Sequence, residues 1–174
     1  ASEHASAAML EFGKLIEQAG IPPGVVNIVT GHGDPCGRVL TSHPLVQRIS
    51  FTGGPQTAGH ILQNSKENFA EVSLELGGKS PFIVFEDADI ESAVNGSVAG
   101  IFGASGQSCV AGSRLYLHES IADEFLEGMV DHAKKIVIGD PLDESTQMGP
   151  LATTAQLARI ETEVSYAQGE GGKL

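Results

Sequence analysis

The chain has no tryptophan, only two cysteines in 174 residues, ten basic side chains against 22 acidic ones, and no apolar run of membrane length. Each shortage excludes something. Cys36 and Cys109 lie far apart, and neither has a second cysteine or a histidine at metal-finger spacing, which argues against a disulfide framework and a thiolate metal site. The six histidines are scattered, with none at i and i+4, so no helical zinc motif exists. A net charge of −12 opposes contact with a phosphate backbone, and nucleic acid is not expected as a partner. No stretch of 18 apolar residues occurs, and the opening ASEHASAAML is acidic and amphipathic rather than basic and then apolar. Neither a transmembrane helix nor a signal peptide is therefore expected, which predicts no membrane partner and a cytoplasmic protein.

What is present is a 41% hydrophobic content over a length sufficient for one ordinary domain with a real core. From His4 to Ala19 the apolar positions Ala5, Ala8, Met9, Phe12, Leu15, Ile16 and Ala19 recur at three and four, predicting a helix with one buried face and a stop at Gly20. VVNIV (25–29) reads as a short buried parallel strand, followed by glycine-rich GHGDPCG. RISF (48–51) is a second strand that runs into TGGP and a helix over about 57–68; AEVSLEL and PFIVF are two more, separated by GGKS. DADIESAVNGSVAGIFGASG reads as a helix capped by Asp87 or Asp89, and SRLYLHE as a strand. Ser120 opens another helix, with Asp123 in a capping box and Phe125, Met129, Ala133 and Val137 along one face. The loop GDPLDESTQMGP then leads to a last helix that ends in GEGGKL. Alternating helices and strands with short connections predict an α/β fold with a mostly parallel sheet. The chain starts inside a helical pattern and stops after GGKL, so it reads as cut at both ends.

Three stretches can carry chemistry. The glycines of SFTGGPQTAG, after a strand, would let backbone amides at a helix N-terminus approach a phosphate, although a tight strand-to-helix turn explains them equally well. In LELGGKS, Glu75 closes an apolar strand, where a partly desolvated carboxylate would have a raised pKa and could act as a general base; a solvated or capping acid is the alternative. In GASGQSCVAGSR, Cys109 sits among small residues, where a thiol can face a pocket and backbone amides can support a thiolate and an oxyanion. Buried packing is its alternative, and Cys36 is assigned to packing outright. A thiol with a carboxylate and no histidine partner does not look like a cysteine protease.

LELGGKSP and FGASGQSCVAGSR, in this order and spacing, resemble the glutamate and cysteine active-site signatures of the NAD(P)-dependent aldehyde dehydrogenase family. SEHAS, GIPPGVVNIVTG, HPLVQRISFTGG, FEDADIESAV, SRLYLHESIADEF and GDPLDESTQMGP resemble its flanking blocks, so the likeness spans the chain. The resemblance implies part of a Rossmann-like parallel sheet followed by part of an α/β catalytic domain. Residues 1–77 would be the C-terminal part of the NAD(P)-binding domain and 78–174 the N-terminal part of the catalytic domain. It implies oxidation of a small-molecule aldehyde to a carboxylic acid with NAD or NADP. Cys109 would attack the aldehyde, and Glu75 would activate the water that hydrolyses the resulting thioester. By the same resemblance Glu3 would contact the adenosine ribose, and Gly31, Phe51, Thr52, Gly53, Gly54 and Leu76 would line the cofactor cleft. The parent protein would be a homodimer or homotetramer. Gly54 stands where the family has serine, and Ala58 takes the place of a glycine that here comes one later, at Gly59. The opposing expectation is a truncated, inactive chain or a structural relative that keeps the fold.

Overall fold

In the computed structural model, which describes residues 1–174, the chain is α/β and divides into two units, Ala1–Gly77 and Gly78–Leu174. Each contains one pair of parallel strands joined through a helix.

In the first unit, helix α1 (Ser6–Gln18) ends where Gly20 turns to φ +76, a left-handed stop that glycine adopts freely. α2 (Arg38–Ser42) is one short turn, preceded by a π-turn over Gly33–Gly37. Strand β1 (Arg48–Thr52) runs into α3 (Pro55–Ser65) and returns as β2 (Glu71–Glu75), parallel to β1 from Arg48↔Glu71 to Thr52↔Glu75. Ile49 on β1 and Ala58 and Ile61 on α3 are the buried apolar residues of this unit. Asn64 and Asn68 fasten α3 and its C-terminal turn to α2: Asn64 Nδ2 donates to Thr41 Oγ1 at 2.9 Å, and Asn68 Nδ2 donates to the Thr41 and His43 carbonyls.

Strands β3 (Pro81–Val84) and β4 (Arg114–Leu117) pair in parallel from Pro81↔Arg114 to Val84↔Leu117 in the second unit. Between them lies α4 (Ile90–Phe102), whose cap is Asp89: Oδ1 accepts the Ser92 N–H at 2.8 Å. Hydrogen bonds from the Ser92 side chain and backbone hold the Asp89 carboxyl below its ordinary pKa. α5 (Ala122–Ala133) packs on α4, and Val84, Val94, Ile121 and Phe125 form the core between strand and helices. α6 (Thr154–Gly169) is capped by Thr153 and buries none of its residues. No helix is long and apolar enough to cross a membrane.

Several expectations are corrected. VVNIV is not a strand: no neighbouring strand pairs with it, and Val25, Val26 and Val29 are exposed. A β-branched run becomes a strand only through a ladder partner, and this segment pairs with none of the four strands. α1 forms where the periodicity places it, but its expected buried face is uncovered, with Phe12 and Leu15 both more than half exposed. α3 starts two residues earlier than expected because Pro55 is suited to the first helical position. It stops earlier too, since Phe69 turns to φ +55. The capping box at Ser120 does not form. His118 Nδ1 accepts the Ser120 N–H and lies 2.8 Å from Ser120 Oγ, so a 3₁₀ turn over Glu119–Ile121 precedes α5. Val137 lies beyond that helix and is exposed.

Phe125→Ala is expected to lower unfolding stability by about 3–5 kcal/mol, measured by denaturant titration; a loss below about 1 kcal/mol would deny it a core role. For Asp89 the native carboxyl is the stronger acid, so its contribution is complete above the unfolded-state pKa and is lost as pH falls through the lower native value. Asp89→Ala should therefore reduce the unfolding midpoint at neutral pH and converge with the parent chain in acid. A difference that does not depend on pH would contradict this.

Candidate active site

The carboxyl ends of β1 and β2 bring six of the candidate residues together in the first unit. Phe51 and Thr52 close β1, Thr52 is the register partner of Glu75, and the Gly53 N–H donates to the Glu75 carbonyl at 3.0 Å. Leu76 follows Glu75 and is half-buried. Gly54 is the N-cap of α3; the space where its Cβ would project is open to 4 Å, no side chain caps the helix, and its first turn carries no acid. Parallel strands that end beside an uncapped helix N-terminus form the kind of crevice that accepts an anionic group. The Gly53 position is closed on its own side by the Phe51 ring, which a Cβ would approach to 2.5 Å.

The expected desolvation of Glu75 is not found. As the last residue of a strand in a two-stranded sheet it has no covering layer, and its side chain is exposed. Glu3 is also exposed, with its carboxylate 4.0 Å from His4 Nε2 and no hydrogen bond or ion pair to the strand ends. Gly31 is a packing position: a Cβ there would stand 2.7 Å from Cys36 Cβ. Cys36 is half-buried, its thiol 3.8 Å from the Thr30 carbonyl, and it lines an apolar pocket with Val29, Pro35, Val39, Leu40 and His43. That pocket contains none of the candidate residues.

Cys109 belongs to the second unit and is exposed in it. It occupies a corner of a turn closed by the Ala111 N–H on the Ser108 carbonyl at 3.2 Å, and buried Ala111 anchors that turn. The Cys109 N–H donates to no group of the chain, so it remains available to an outside acceptor. Beneath the turn, Gly78 packs so tightly that a Cβ would lie 2.6 Å from the Cys109 carbonyl oxygen. The two segments continue side by side: Arg114 donates through Nε to the Lys79 carbonyl at 2.8 Å and through its backbone N–H to the Ser80 carbonyl, and Gly112 packs on Phe82. In the sequence the second glycine of GGKS reads only as part of a turn. Its requirement lies in a partner 31 positions away, and the recurrence of glycine next to a candidate acid was the available signal.

The sequence model of the aldehyde dehydrogenase family matches residues 1–174. The chain is 57% identical, over its whole length, to 36% of (Z)-2-((N-methylformamido)methylene)-5-hydroxybutyrolactone dehydrogenase of Acinetobacter baylyi. It is 46% identical, over 99% of its length, to 34% of hydroxyisobutyraldehyde dehydrogenase of Mycolicibacterium austroafricanum. Among solved structures, PnpE of Pseudomonas sp. WBC-3 superposes with a TM-score of 0.94 at 46% identity, covering 99% of this chain and 35% of that one. PnpE has also been solved in complex with nicotinamide adenine dinucleotide. The chain thus spans about a third of the length of the curated relatives it matches.

Gly78→Ala should displace the cysteine turn and change the rate of iodoacetamide alkylation at Cys109 severalfold, followed by peptide mapping. Gly100→Ala, which has nothing within 4 Å of its added Cβ, serves as the control and should leave the rate unchanged. Equal rates in the two variants would mean that the close approach does not hold the turn.

Proposed function

The chain belongs to the aldehyde dehydrogenase family, and we propose that the whole protein oxidises a small-molecule aldehyde to a carboxylic acid through a covalent intermediate on Cys109. The observation that carries this reading is the exposed Cys109 at a glycine-backed turn with its backbone N–H free.

In this reading residues 1–77 act as part of the NAD(P)-binding domain and 78–174 as part of the catalytic domain. The open N-terminus of α3 fits a cofactor phosphate, and the backbone amides there do the work of the hydroxyl that Gly54 lacks. Phe51, Thr52, Gly53 and Leu76 line the cleft at the strand ends, with Gly31 and Glu3 as further contacts. When bound, NAD or NADP supplies the acceptor for a hydride.

The Cys109 thiolate attacks the aldehyde carbon; a C–S bond forms, and the carbonyl electron pair moves onto oxygen. The Cys109 N–H donates to that oxyanion, where charge develops. Loss of hydride from the carbon restores C=O and leaves a thioester. Glu75 takes a proton from water, the hydroxide oxygen adds to the thioester carbon, and the C–S bond breaks to return the thiolate and release the acid. A cytoplasmic homodimer or homotetramer is the assembly proposed for the whole protein.

In the whole protein, Cys109→Ser should abolish aldehyde-dependent NAD(P)H formation, by at least about 10³-fold. Glu75→Gln should give one equivalent of NAD(P)H per site and then stall, because acylation is intact and hydrolysis is not. Normal turnover by Cys109→Ser would overturn the mechanism. A whole protein with both residues intact that reduced no NAD(P) with any aldehyde would favour a structural relative instead.

A further inference from the structure

We propose that Ser105 is a positioning residue for Cys109, acting through a hydroxyl tether to the Gly149 carbonyl; the inference rests on the reading of Cys109 as nucleophile. α4 ends at Phe102, and the chain then passes through three consecutive residues with positive φ: Ala104 at 51°, Ser105 at 55° and Gly106 at 73°. For the first two this conformation is disfavoured by the Cβ, and such a corner persists only when its surroundings hold it.

Two sets of hydrogen bonds do so. Gln107 donates both its backbone N–H and its side-chain Nε2 to the Ala104 carbonyl, at 3.2 and 3.1 Å, closing the corner from within. From outside, half-buried Ser105 donates Oγ–H to the Gly149 carbonyl at 3.2 Å. That acceptor sits on a braced segment: the Gln147 and Met148 amides donate to the Val137 carbonyl at 2.8 and 3.1 Å, the Val137 N–H donates to Gln147 Oε1, and the Gly139 N–H donates to the Met148 carbonyl. The loop GDPLDESTQMGP therefore presents a fixed acceptor. Ser105 is the one residue of the 103–113 stretch that hydrogen-bonds to it. Cys109 follows four residues later on a short turn, so the tether sets where that turn begins.

The test uses the whole protein with Ser105→Gly and Ser105→Asn. Glycine accepts the left-handed conformation without strain but has no donor, whereas asparagine tolerates it and offers an amide N–H to the same carbonyl. Ser105→Gly is expected to lower kcat about 10- to 100-fold with little change in KM for the aldehyde, and to slow alkylation of Cys109 in parallel. Ser105→Asn is expected to recover both. Retention of kcat and alkylation rate by Ser105→Gly, a change confined to KM, or failure of folded Ser105→Asn to recover either quantity would overturn the proposal. A Cys109→Ser control separates the two levels. If that control keeps turnover the nucleophile assignment fails, and if it is dead while Ser105→Gly is normal only the tether fails.

Discussion

The surroundings of the thiol depend on a contact that only glycine permits, the approach of the Gly78 Cα to the Cys109 carbonyl. A Cβ at 2.6 Å from that oxygen is not sustainable, so any side chain at 78 would push the turn away from the strand beneath it. Because Gly78 leads directly into β3 and Cys109 leads into β4, the contact sits at the start of the parallel pair. Arg114 then fastens the two segments through the Lys79 and Ser80 carbonyls. The register from Pro81↔Arg114 onward continues that alignment, and the Val84, Val94, Ile121 and Phe125 cluster fixes the strands to α4 and α5. Exposure of the thiol and burial of the core are thus two ends of one piece of structure. Gly78 lies beneath the Cys109 carbonyl, and the absence of a Cβ is what lets it come so near.

The first unit solves a different problem with the same architecture. Here β1 and β2 end together, Gly53 is hydrogen-bonded to the Glu75 carbonyl, and α3 begins at once with proline in its first turn. Gly54 leaves the amide end of α3 uncovered, which a serine side chain would partly fill. The departure from the family's usual turn therefore leaves the opening at α3 to the backbone, in a position where helix amides favour negative charge.

Much of this organisation is legible in the residues because the strands RISF, EVSLE, PFIV and RLYL are short β-branched or aliphatic runs between turn signals, each with a partner in the chain. VVNIV has a similar composition but pairs with none of these strands, and pairing is a condition that no local pattern encodes. Likewise the 3.6-residue periodicity of α1 specifies a helix but not what covers it. The five-residue α2 is too short to show a period, and the His118 contact with Ser120 displaces a capping box that local spacing favours. The motifs that contain Glu75 and Cys109 are visible in the sequence, while the Gly78 contact and the bond that holds the left-handed corner at Ala104 and Ser105 depend on residues distant in the chain. Long-range backbone approach is the part that composition and spacing do not carry.

The most direct measurement is the intact mass of the Glu75→Gln whole protein after mixing with an aldehyde and NAD(P), with the modified site located by peptide mapping. A nucleophilic Cys109 predicts one added acyl group per chain on the peptide that contains GQSCVAGSR. An unmodified protein, or an acyl group on Cys36 or any other residue, would contradict it.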